Sequence, residues 1–372
     1  MIQYLVFLTI STALYSIFAL GLNLQWGFTG LINFGHVAFM TIGAYTTVLL
    51  TLQGVPMLLA VVIGAVGAAI LGFLIGATSI RLRQDYLAIV TIGGAEFIRL
   101  VVQNEQWLTK GTFGIQRFPL PFGDFQPNFL GRLMMIFILT LLTIFVAWRI
   151  TINLRQQLRL GREIKGKSFQ ASARALVLFW GAVALVVGGM VYINAVMALY
   201  NYSYKAGLML LVLIALAVVY YGLEILVHSP WGRVLKAIRE DEEIPRALGK
   251  NVFWYKLQAF MLGGAIAGVA GAFYAWQLTT IYPSGFEPLL TFNAWIIVVL
   301  GGSGNNAGSI LGSLIFWGYY SLTRFMFSGS DLLDDAQLGA LRIMIIGLIL
   351  MVLMVSRPQG ILGKKGELSL GK

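Results

Sequence analysis

Apolar residues in this chain come in long runs, broken only by short polar stretches. Such runs lie near 3–24, 34–52, 57–80, 84–103, 131–148, 175–199, 206–227, 256–277, 289–300, 308–328 and 341–356. A helix needs about 20 mostly apolar residues to cross hydrocarbon, and shorter ones fit inside a bundle. Membrane barrels use alternating strands of about 10 residues, far shorter than these runs. The pattern predicts an all-α polytopic membrane protein with about ten to eleven transmembrane helices.

Composition agrees. The 372 residues are 58% hydrophobic and 11% charged, against about 25% charged in soluble domains. This excludes a soluble enzyme, a secreted disulfide scaffold and a disordered chain. Without cysteine, thiol chemistry and disulfides are excluded too. Two histidines, His36 and His228, are too few for a histidine metal cluster, and no metal site is expected.

The net charge of +11 reads as orientation in a bilayer, not as nucleic-acid binding. Nineteen of 26 basic residues fall in four places: Arg81 with Arg83, segment 149–174, segment 228–256 and the C-terminus from Arg357. If every run crosses once, all four lie on one side, which the positive-inside rule makes the cytoplasm. The opposite loops, 104–130 and 329–340, carry Glu105, Asp124, Asp331, Asp334 and Asp335. The first basic residue is Arg81, so 1–24 lacks the basic start of a cleavable signal and reads as a retained helix. The side of the N-terminus stays open, because a re-entrant element near 27–36 would reverse it.

Segment 228–256 is polar yet helical in pattern. Leu235, Ile238 and Ile244 form a narrow apolar stripe, Pro230 and Gly232 suit a chain break before a helix, and Gly249 suits the position after one. Such a helix between two spans either docks a soluble partner or is a solvated connection.

Several motifs here resemble the permeases of branched-chain and neutral amino-acid ABC importers. The densest is Gly232-Arg233-x3-Ala237-Ile238-Arg239-Glu240-Asp241, followed by Ala247-Leu248-Gly249-x-Asn251 and Lys256-Leu257-x-Ala259-Phe260. Others, in the same order as in that family, are Gly27-x2-Gly30-Leu31-x2-Phe34-Gly35-His36, Arg81-Leu82-Arg83-x-Asp85-Tyr86, Leu300-Gly301-Gly302-x-Gly304 and Arg357-Pro358-Gln359-Gly360-Ile361-Leu362-Gly363. The resemblance implies one permease domain over 1–372, with a cytoplasmic coupling loop at 228–256. It further implies two ATPase subunits, a second homologous permease, a periplasmic binding protein and the inner membrane of a bacterium, with a cytoplasmic C-terminus. Gly232, Arg233, Ala237, Arg239, Glu240, Asp241 and Gly249 become the ATPase-coupling residues. The chain lacks a phosphate-binding Gly-x4-Gly-Lys-Ser/Thr loop, so ATP and Mg belong to partners and this subunit is a permease, not an enzyme.

Two departures from that pattern stand out. Three spans, not one, separate loop 104–130 from the coupling loop, which marks 149–205 as an insert. Pro245 also stands where a small residue is usual, and a proline is expected to break the coupling helix there.

Glycine-rich stretches 21–44 and 301–312 predict broken helices, tolerated at membrane depth only where they line protein or a water path. They place Gly30, Asn33, His36, Gly301, Gly302 and Gly304 on the translocation path, with Gly27 and Gly35 beside them. Glu96 and Arg99, three apart on one helix, join the translocation-path candidates, with two readings: an ion pair locking two helices, or a gate or path-lining role. His36 is either a packing residue or a substrate ligand. Outside the leading reading, a urea or short-chain amide importer shares these loops. An ion-coupled transporter would need midplane carboxylates, for which Glu96 alone qualifies.

Overall fold

The computed structural model describes residues 2–123, 125–164, 188–327, 335–356 and 359–363. In chain order the helices are α1 (Ile2–Leu22), α2 (Val37–Leu52), α3 (Met57–Ser79), α4 (Gln84–Asn104), α5 (Gln106–Thr109), α6 (Phe129–Ile164) and α7 (Gly188–Tyr200). They continue as α8 (Tyr204–His228), α9 (Pro230–Glu240), α10 (Glu243–Ala247), α11 (Val252–Leu278), α12 (Leu289–Gly301), α13 (Asn306–Phe327) and α14 (Asp335–Ser356). Two-residue strands β1 (Ile115–Gln116) and β2 (Thr280–Ile281) pair antiparallel, Ile115 opposite Ile281. The chain is an all-α polytopic membrane protein. Among the described residues, six helical stretches are long and apolar enough to cross a bilayer: Ile2–Gly27, Met57–Ser79, Phe129–Trp148, Tyr204–His228, Val252–Leu278 and Pro283–Gly301.

The chain forms two compact units. The smaller comprises Met1–Thr9 and Phe122–Ile214. There the Thr140 and Tyr192 hydroxyls lie 2.8 Å apart across α6 and α7, and Arg132 donates to the Tyr200 carbonyl at 3.0 Å. Helix α6 does not stop where its apolar run ends. It runs 36 residues, about 54 Å at 1.5 Å per residue, well past the span expected at 131–148. The basic stretch from Arg149 is rich in Arg, Leu and Gln, good helix formers, so nothing ends the helix at the polar boundary. Much of the expected insert, 165–187, lies outside the described residues. So do Asp124, Asp331, Asp334, Arg357 and the final nine residues.

The larger unit comprises Ile10–Pro121 and Ala215–Lys372. Its centre is α11, packed on α2 and α3. Small residues make that packing close. On α3 the buried positions are Ala60, Gly64, Ala68, Gly72 and Gly76, one every fourth residue, while Leu58, Val62, Val66 and Ile70 point outward. Facing them, α11 presents Gly264 and Gly268, where an added Cβ would press on Phe39 and Ala68. Without a hydrophobic drive between helices in lipid, such backbone approach supplies the contact energy. Helix α1 runs antiparallel to α11: Gln25 bonds the Phe260 carbonyl and Gln277 bonds Ser11. Segment 28–36 doubles back, so that His36 lies beside Phe18.

Candidate functional site

The polar segment expected at 228–256 folds as two helices. Ser229 precedes α9 in extended conformation and Pro230 takes its first position, where a missing N–H costs nothing. Gly232 does not break the chain. It lies in the first turn, where a Cβ would collide with the Val227 backbone, so glycine lets α9 fold tightly back on α8. Leu235 and Ile238 are buried, in a cluster with Leu20, Leu24, Phe28, Leu223, Val227 and Ala259. The helix ends at Asp241, whose backbone is extended. The break thus comes four residues before Pro245, which sits buried in the first turn of α10. There, as at Pro230, no intrahelical donor is lost. Ending α9 early resets the helical phase, and Ile244 leaves the stripe to stand 58% exposed. Gly249 closes α10 at φ +74. Its N–H bonds the Arg246 carbonyl and that of Lys250 bonds Pro245, a Schellman closure.

Arg233, Glu240 and Asp241 are exposed and Ala237 is half-buried. Arg239 turns inward: Nη1 donates to the Gly27 carbonyl, and Nη2 lies 3.4 Å from Ser303 Oγ. Lys256 pairs with Glu242, tying the α9–α10 junction to the start of α11.

Both glycine-rich stretches interrupt helices. After α1, a π-helical turn spans Asn23–Gly27, and 28–36 is irregular and mostly buried. Every polar group of such a segment needs a partner, and side chains supply many of them. Gln25 donates to the Phe260 carbonyl at 2.8 Å and accepts from Asn33 at 2.8 Å. Asn33 accepts from the Gly35 N–H at 2.9 Å, Thr91 from Phe34 at 3.1 Å and Thr291 from Val37 at 2.9 Å. Trp295 donates to the Asn33 carbonyl at 3.0 Å. His36 is fully buried with Nε2 3.1 Å from the Phe18 carbonyl, while Nδ1 has no hydrogen-bond partner. Gly35 is forced, since a Cβ there would collide with the Thr91 carbonyl.

The second interruption is the turn 302–305 between α12 and α13. Gly302 and Gly304 take φ +112 and +76, values side chains resist. Gly301 sits against Gly308, backbone on backbone. Residues 359–363 close this end: the N–H groups of Ile361 and Leu362 bond the Leu300 and Gly301 carbonyls at 3.1 and 2.9 Å. Asn305 caps α13 through Ala307 and donates to the Leu362 carbonyl.

The two interruptions meet. Asn23 accepts from the Gly304 N–H at 2.9 Å and donates to Asn306 at 3.2 Å, and Asn306 donates to Glu224 at 3.0 Å. Glu224 therefore serves this network, with His228 Nδ1 3.5 Å from its other oxygen. Gly30, Gly301, Gly302, Gly304, Asn33 and Arg239 thus fall in two adjoining polar networks at the ends of α1, α9 and α12. Glu96 and Arg99 lie apart from them, as a two-pronged pair within α4 that also reaches Gln103. Sequence reasoning did not name Asn23, Gln25, Thr291, Trp295, Ser303 or Asn306; Asn23 and Thr291 stood out as an amide and a hydroxyl in apolar runs, and Gln25, Ser303 and Asn306 lay within the glycine-rich stretches.

Residues 4–166 and 137–354 match the family described as the permease component of the branched-chain amino acid transport system. The chain is 30% identical over 357 residues to the high-affinity branched-chain amino acid transport system permease protein LivM of Escherichia coli, covering 94% of this chain and 68% of that one. It is 30% identical over 156 residues to the permease protein BraD of Pseudomonas aeruginosa, 42% of this chain and 47% of that one. A nucleoside ABC transporter permease of Lactococcus lactis, NupC, is 29% identical over 117 residues, 29% of this chain and 34% of that one. No solved structure matches.

Proposed function

Because the chain belongs to the family of branched-chain amino acid transport permeases, we propose that it carries neutral and branched-chain amino acids inward as the membrane subunit of an ATP-driven importer. In this reading it pairs with a second homologous permease in a bacterial inner membrane. A periplasmic binding protein delivers substrate, and ATPase subunits hold ATP and Mg and dock on α9 and α10. The basic loops and the C-terminus face the cytoplasm by the positive-inside rule.

The observation that carries this reading is the short amphipathic helix α9, buried through Gly232, Leu235 and Ile238 and exposed through Arg233, Glu240 and Asp241. It directly adjoins both helix interruptions. Closure of the ATPases moves α9, and the interruptions at 23–36 and 301–306 open alternately to the two sides. Helix ends at an interruption present partial charges to a zwitterionic amino acid, which bare hydrocarbon cannot do.

The test is uptake of labelled leucine, alanine and proline by cells lacking this gene, with urea in parallel. Wild type restores amino-acid uptake, and the double charge reversal Glu240→Arg with Asp241→Arg inserts normally but restores none. Rescue by the reversed variant would sink the docking assignment. Restoration of urea uptake alone would move the substrate class.

A further inference from the structure

Arg239 is the one residue of α9 that bonds both helix interruptions. Its guanidinium reaches the Gly27 carbonyl, 212 positions away in sequence, and Ser303, 64 positions away. The turn asks for glycine through its backbone and not through lack of space. A Cβ on Gly30, which sits at φ +78, would stand 3.7 Å from Arg239 Cγ and 3.8 Å from its Cα, so the turn after α1 lies directly on the α9 backbone. The two interruptions are further joined to each other by Asn23, through the Gly304 N–H and Asn306. Elsewhere α9 packs on apolar side chains, Leu20, Leu24 and Phe28 among them. Trp231 donates to Gln258 at 2.8 Å, which ties α9 to α11 and to neither turn, and Lys236 lies over the Phe28 ring. A charged donor on a main-chain acceptor has direction, and is stronger than a neutral pair.

We propose that Arg239 is a positioning residue, a clasp that makes α9, the turn at 27–30 and the turn at 302–305 move as one body, so that displacement of α9 reaches both interruptions together. The proposal rests on the importer reading above. It differs from the docking role in that Arg239 acts inside the permease, not on the ATPase. Asp241 and the Glu242–Lys256 pair then mark where this body ends and α10 begins.

The measurement is made on the whole importer, the permease pair with its ATPase subunits in liposomes, driven by loaded binding protein. Substrate transported per ATP hydrolysed is compared for wild type, Arg239→Ala, Arg239→Lys and Ser303→Ala. A merely structural role lowers the amount of assembled complex, hence transport and hydrolysis in proportion, and leaves the ratio unchanged. A clasp lowers the ratio: about tenfold for Arg239→Ala, the scale of one lost charged hydrogen bond. Arg239→Lys keeps one donor group and recovers part of the ratio, and Ser303→Ala lowers it least. An unchanged ratio in Arg239→Ala overturns the clasp. If that variant fails to assemble, the milder pair decides: a wild-type ratio in both Arg239→Lys and Ser303→Ala overturns it equally. A wild-type complex that binds no ATPase, or transports without ATP, defeats the importer reading instead.

Discussion

The two helix interruptions solve the same problem by different means. Segment 28–36 is long and leans on side chains: Thr91 and Trp295, from distant helices, bond the Phe34 N–H and the Asn33 carbonyl, Asn33 bonds the Gly35 N–H, and Gln25 holds the Asn33 amide. The turn 302–305 is short and leans mostly on main chain: glycines at positive φ shape it and the strap 359–363 bonds the two carbonyls just before it, with Asn23 taking the Gly304 N–H. A break held by side chains is a chemical device, whose partners exchange when the segment moves. A break held by glycine and backbone is a steric one, tolerant of rigid motion and intolerant of added atoms.

The largest expected effect is steric. In Gly301→Ala the new methyl meets the Gly308 carbonyl, and overpacking at a backbone crossing costs about 3 kcal/mol or more. Thermal unfolding of the purified protein in detergent reads this as lost folded yield or a strongly lowered midpoint; a wild-type midpoint would break the contrast. Next is the chemical device. Gln25→Leu preserves bulk but leaves the buried Asn33 amide without its acceptor, costing about 2 kcal/mol. In the same assay Gln25→Glu, which keeps an acceptor oxygen, recovers part only if its carboxyl is protonated, so its deficit shrinks as pH falls. The smallest effect is at the edge. Asn305→Ala removes the cap on α13 and the bond to Leu362, and costs about 1 kcal/mol. A larger loss for Asn305→Ala than for Gln25→Leu would reverse the order that the comparison demands.

Much of this was legible in the sequence, for physical reasons that also set the limits. Long apolar runs report membrane crossing because the bilayer imposes a length. Clusters of Gly27, Gly30 and Gly35, or Gly301, Gly302 and Gly304, report helix interruption because few other residues permit it. The stripe of α9 was visible through Leu235 and Ile238. Its end was not: Pro245 looked like the breaker, whereas a proline in a first turn breaks nothing, and Asp241 carries no comparable mark. Helical spacing sets Arg239, four residues after Leu235, beside the stripe and Arg233 on the far face, but the carbonyl that Arg239 reaches is 212 residues away and invisible to pattern. Trp295 reads as an ordinary occupant of the run 289–300, and Gln25 as a polar residue just past the run 3–24, since Asn33 and Phe260, which they bond, are not marked as their partners in the sequence. Glu96 and Arg99 pair as their spacing of three on one helix suggests.

The strap at 359–363 carries a consequence for synthesis. It supplies the bonds that finish the end of α12, yet it emerges from the ribosome after every helix it braces. Gly302 and its neighbours therefore wait, with the Leu300 and Gly301 carbonyls unanswered by main chain, until α13, α14 and the strap have been made. A chain cut before residue 359 loses both bonds, so the damage falls two helices upstream of the cut.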